Sequence, residues 1–117
     1  MKIYSYKELK KIEDRHWKDG FKYYRTHKKS KTYDEDRKAI DCVALALFAG
    51  FNMIDTTFPS SHDCLMKNIV LTIKDYGRFD VSYIDDGKEC TYSSQYKIAE
   101  YFSLNKKMPP EGSWYYL

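Results

Sequence analysis

The sequence is poor in cysteine, proline and glycine, with three, three and five among 117 residues, and it holds no long apolar run. No stretch approaches the roughly 18 consecutive apolar residues that cross a bilayer, so no membrane-spanning helix is expected. Residues 1–11 are charged throughout where a secretory signal would be apolar, which points to a cytoplasmic protein. Three cysteines are an odd number and form no Cys-x-x-Cys pair, so reduced thiols fit better than a disulfide framework. The five scattered glycines build no phosphate-cradling loop, and no internal repeat is visible. No cofactor is therefore expected.

What is present is a balance of 43% hydrophobic and 32% charged residues, the signature of a single globular domain over residues 1–117. A chain of this size buries roughly two-thirds of the surface its unfolded form exposes, enough for a core without metal or disulfide. Charge is unevenly placed. Residues 1–31 carry eleven Lys and Arg against four Asp and Glu, a balance of +7, whereas residues 32–117 carry nine against thirteen, or −4. Such polarity bears on partners and association rates rather than on fold. Twelve tyrosines, six phenylalanines and two tryptophans are too many for the core alone, since each tyrosine hydroxyl needs a partner or water. Part of this aromatic complement should therefore line a surface, where tyrosine and tryptophan are favoured binding residues.

Ser5 and Glu8 form a capping box, and Tyr4 with Leu9 a hydrophobic staple across it, which predicts a long first helix. At helical spacing Leu9, Ile12, His16, Gly20, Tyr23 and His27 share an inward side, flanked by Trp17 and Tyr24. Lys11, Arg15, Lys18, Lys22, Arg25 and Lys29 form a basic stripe on the opposite side. Gly20 inside this pattern is a candidate kink. After a basic connector from Thr26 to Lys31, Thr32 and Glu35 suggest a second capping box, with Asp34 and Asp36 at the positive end of the helix dipole. Ile40, Val43, Ala44, Leu47 and Phe51 make one face of a central, largely buried helix that Gly50 would end.

From Asn52 to Asp63 the chain reads as a connector, and from Asn68 the period changes to that of strands. Ile69 to Ile73, Phe79 to Ile84 and Glu89 to Ser93, punctuated by Asp75–Gly77 and the hairpin signal Asp86-Gly87, predict a three-stranded antiparallel meander. A helix from Gln95 to Leu104 follows, capped by Ser93 or Ser94, with Ile98, Tyr101 and Phe102 inward. Trp114 to Leu117 either adds an edge strand or docks on the body. The expected class is α+β, with two N-terminal helices, the three-stranded meander, a C-terminal helix and a short tail.

Candidate chemistry is sparse. Asp41, Cys42 and the run Val43-Ala44-Leu45-Ala46 resemble, over a short stretch, the cysteine-bearing helix of small papain-like thiol hydrolases. That resemblance implies Cys42 as nucleophile and a histidine base on a later strand. A reactive cysteine wants a helix N-terminus and a nearby imidazole, but the helix starts well before Cys42 and no histidine follows His62. A small buried core residue is the better account of Cys42. His62 and Cys64, with Cys42 and Cys90, are ligand types for zinc without zinc spacing, so no metal is expected. Asp80, Asp85, Asp86 and Glu89 cluster around a hairpin, where turn chemistry explains them without a catalytic role. A winged helix would need a basic wing tip, and Asp85 to Lys88 is acidic.

The stripe Lys11, Arg15, Lys18, Lys22, Arg25 and Lys29, with Trp17 and Tyr24 at its border, is the candidate partner-binding set. The competing reading is a solvated face, with the acidic start of the second helix offsetting its self-repulsion. The expectation is a non-enzymatic inhibitor or adaptor that docks on a larger protein or protein–nucleic acid complex. Small phage-type anti-defence proteins, including anti-CRISPR proteins, have this general character. Direct nucleic-acid binding through the stripe is the second expectation, and a thiol hydrolase the third. No membrane partner is expected, and no pattern specifies stoichiometry.

Overall fold

The computed structural model describes residues 1–49 and 68–117 of the chain. In order these form β1 (Lys2–Ser5), α1 (Tyr6–Thr26), α2 (Tyr33–Ala49), β2 (Val70–Ile73), β3 (Arg78–Asp85), β4 (Lys88–Gln95) and α3 (Tyr96–Asn105), with a tight turn at Asp75–Gly77 and a 3-10 turn at Trp114–Tyr116. The architecture is α+β, but the sheet has four antiparallel strands in the order β1-β2-β3-β4 rather than three. The added strand, β1, pairs Lys2 with Ile73 and Ser5 with Val70. Its four residues run straight into the cap of α1, so locally they read as the lead-in to a helix. Only a partner strand far along the chain gives them a ladder.

The capping box of α1 forms as expected: the Ser5 hydroxyl accepts from the Glu8 backbone N–H, and the Glu8 carboxylate accepts from the Ser5 N–H. Tyr4 and Leu9, the staple pair, are both buried. The second expected box is corrected, because the Glu35 carboxylate turns to β1, accepting from Lys2 Nζ and from the Tyr4 hydroxyl at 3.2 Å. This joins the start of α2 to the edge of the sheet. The cap of α3 is corrected as well. Ser93 and Ser94 lie in β4, whose pairing runs on to Gln95, and Gln95 occupies the cap position.

Apolar residues surround most of α2, and accordingly it lies at the centre, between α1 and α3 and against β2, β3 and β4. Cys42, Val43, Leu45 and Leu47 of α2 meet Leu71, Phe79 and Val81 of the sheet and Phe102 of α3 in one core. The alternation of β3 follows from this covering: Phe79 and Val81 face the helices, while Asp80 and Ser82 do not share that burial. The tail docks on α3 rather than adding a strand, with Lys97 Nζ donating to the carbonyls of Trp114 (3.3 Å) and Leu117 (3.1 Å) and the Tyr115 ring meeting Tyr101 edge to face, centroids 4.8 Å apart. The expected stop at Gly50, the connector from Asn52 to Asp63 and the candidate zinc pair His62 and Cys64 lie outside the described residues.

Candidate docking face on the first helix

Twenty-one residues make α1 about 30 Å long, yet only Leu9 and Ile12 in its first half are buried. The second half outruns the core. Gly20 introduces no kink, since the helix is continuous through it, and His27 is an exposed left-handed C-cap whose N–H donates to Tyr23 O at 2.7 Å. The inward side expected from spacing therefore divides at this point. His16 and Tyr23 are half-buried against Tyr33 of α2, with ring centroids 4.7 and 5.5 Å away, whereas the exposed His27 ring meets Tyr23 of its own helix edge to face at 6.3 Å.

On the outer side of this half, Trp17, Phe21 and Tyr24 are 70%, 59% and 82% exposed. The Trp17 and Phe21 rings meet edge to face with centroids 5.3 Å apart. Together with His16 and Gly20 the three aromatics line a shallow, predominantly apolar groove of about 450 Å³. Glycine at position 20 leaves its floor open, for a Cβ there would touch nothing within 4 Å. Burial lowers the proton affinity of His16, and the positive charge of Arg37 acts in the same direction, against Asp36 and Asp19. Its Nδ1 is buried without a hydrogen-bond partner among the described residues.

The basic stripe separates into free and engaged cations. Arg15 is engaged: Nε and Nη2 donate to the buried Asp36 carboxylate at 2.7 and 2.6 Å, and this bond raises the guanidinium pKa further. Lys29 lies beyond the end of α1, so the stripe is one cation shorter than its spacing suggests. Its ammonium donates to Asp34 at 3.1 Å and lies 5.9 and 5.5 Å from the ring centroids of Tyr23 and Tyr33. The Arg15–Asp36 and Lys29–Asp34 pairs are the offsetting expected of the acidic start of α2. Lys11, Lys18, Lys22 and Arg25 remain exposed, with no ion pair among the described residues. Around the helix axis, Lys18 and Arg25 lie within about 60° of Phe21, so free cations border the aromatic groove along one side.

Phe21 joins the expected aromatics Trp17 and Tyr24 on this face. Its signal was the spacing of positions 17, 21 and 24, an aromatic row at i, i+4 and i+7 that lies between the inward side and the cations.

Elsewhere the polar groups serve the fold. Cys42 is fully buried in the middle of α2, and burial, reinforced by the neighbouring Asp41 charge, pushes its thiol well above the ordinary range. Asp41, only 5% exposed, accepts from the Ser103 hydroxyl at 2.8 Å, which ties α2 to α3, and lies 3.8 Å from Arg37 one turn away on its own helix. Asp80 accepts from Ser93 at 2.7 Å across the hairpin and pairs with Lys74 at 3.1 Å. Among the described residues no three His, Cys, Asp or Glu side chains converge as metal ligands. No family model, curated protein or solved structure matches this chain.

Proposed function

We propose that the chain is a non-catalytic binding module, an inhibitor or adaptor that docks the second half of α1 on a larger protein or protein–nucleic acid complex. A phage-type anti-defence role, such as that of anti-CRISPR proteins, belongs to this class. The observation that carries the reading is the union of two features on one helix face: three exposed aromatics and a border of cations with no partner within the described fold. Lys18, Lys22 and Arg25 steer association, and Trp17, Phe21 and Tyr24 anchor it. Arg15 and Lys29 belong to the scaffold by virtue of their bonds to α2.

The test is a pull-down from host lysate with the full chain as bait, with and without nuclease and at low and moderate salt. A discrete protein retained through both treatments, and lost when Lys18, Lys22 and Arg25 are reversed to Glu, is the expected result. Direct nucleic-acid binding is the second reading, favoured by the same unpaired cations. Its mark is recovery of nucleic acid with affinity falling steeply as salt rises. The burial of Cys42 weighs against the thiol-hydrolase reading, in which Cys42→Ala would abolish activity.

A further inference from the structure

Resting on the binding-module reading, we infer that α1 is itself the inserted element: Trp17, Phe21 and Tyr24 enter an apolar groove on a partner protein, and carboxylates on the rim of that groove face Lys18 and Arg25, with Lys22 farther round the helix adding to the attraction at longer range. The spacing i, i+4 and i+7 is that of the anchors by which an amphipathic helix enters a protein groove, and here it covers about 10 Å of helix axis. All three side chains are exposed while the backbone beneath them is held in a capped helix. Little ordering therefore remains for the moment of binding.

Three geometric features choose this occupant over the others. Trp17 and Phe21 meet at 70°, so they form a compact wedge rather than the parallel platforms on which successive bases stack. A second copy of the chain would set Lys18, Lys22 and Arg25 against their own like, unless α1 met a different face. The cations border the aromatic row on one side only, whereas a helix lying in a lipid interface is expected to carry them across its whole polar face. A single acidic rim matches that asymmetry.

The experiment uses the full chain and, as probe, the purified protein it retains at moderate salt after nuclease treatment. Trp17→Ala and Phe21→Ala are each expected to weaken that complex by about tenfold or more, mainly through faster dissociation, with the thermal midpoint of the free chain unchanged because both side chains are exposed. Photo-crosslinking from p-benzoylphenylalanine placed at Phe21 should mark apolar residues of the probe that have Asp or Glu as neighbours. Wild-type affinity in both alanine variants overturns the inference, as do crosslinks to a flat polar surface or to a second copy. If affinity persists there but falls on reversal of Lys18, Lys22 and Arg25, the inserted helix is wrong and the binding module stands. If neither set of changes weakens the complex, or only a dT20 oligonucleotide or anionic vesicles bind, both fall.

Discussion

Arg15 of α1 grips Asp36 of α2 through two parallel hydrogen bonds, 2.7 Å from Nε to Oδ2 and 2.6 Å from Nη2 to Oδ1. The carboxylate is 3% exposed and the arginine side chain 47%, so one charge is buried and its partner reaches it from the surface. Arg15→Ala leaves the buried carboxylate without its counter-ion. The expected loss is about 2 kcal/mol, below the 3–5 typical of fully buried pairs because solvent screens the arginine. Urea unfolding of the single and double variants with Asp36→Ala checks this, and a loss under about 0.5 kcal/mol would remove the bond from the account.

Tyr76, 92% exposed, sits at the tip of the β2–β3 turn with φ +61° and ψ +31°, next to Gly77 at φ +72°. Both central positions of this tight turn are left-handed, as hairpin turns of the primed type require, and a bulky residue is strained in the first of them. Asparagine tolerates that conformation. Tyr76→Asn is therefore expected to stabilise the fold by about 0.5–1 kcal/mol, read from the urea midpoint at constant slope.

Asp41 and Asp80 carry opposite pH signatures. Burial raises the Asp41 pKa above its ordinary value despite the Ser103 bond, so its charged form opposes folding, and its contribution improves as pH falls through the folded pKa toward 3.8. The bond from Ser93, with Lys74 beside it, lowers the Asp80 pKa, so its contribution is present above 3.8 and is lost as pH falls through the depressed value. Unfolding free energies measured from pH 7 to pH 3 should show the improvement vanish in Asp41→Asn and the acid loss shrink in Asp80→Asn. Parallel curves for wild type and both variants would contradict this assignment.

Burial governs Cys42 as well. In the native chain iodoacetamide should leave Cys42 unmodified while it reacts with the partly exposed Cys90, and unfolding in urea should equalise the two. Peptide mass spectrometry reads the outcome. Rapid native labelling of Cys42 would reopen its role as a nucleophile.

The parts of this fold that were legible in the sequence are those set by neighbours a few residues apart. Ser5 with Glu8, Tyr4 with Leu9, and Asp86-Gly87 between two alternating strands each complete a local device, and each is found in place. The four-residue β1 depends on β2 for its ladder, and nothing beside Lys2–Ser5 announces that partner. Helical spacing put His16 and His27 on one inward side, which holds for His16 but not for His27, an exposed cap: spacing could not show that α2 ends its cover near Tyr33 and leaves the second half of α1 without a core. The same gap hid the difference between Arg15, which has Asp36 within reach, and Lys18, which has no such partner among the described residues. Phe21 was readable from spacing alone, because it shares its row with Trp17 and Tyr24.

The central claim is that the outer face of the second half of α1 is the working surface. The most direct measurement compares the affinity of the wild-type chain for its nuclease-resistant partner protein with that of Lys18→Glu/Lys22→Glu/Arg25→Glu, using Lys88→Glu/Lys107→Glu as an exposed control elsewhere on the chain. The triple variant is expected to lose about tenfold or more in affinity, chiefly through slower association, while its thermal midpoint and the binding of the control stay near wild type. Equal affinity in the triple variant, or an equal loss in the control, would contradict it.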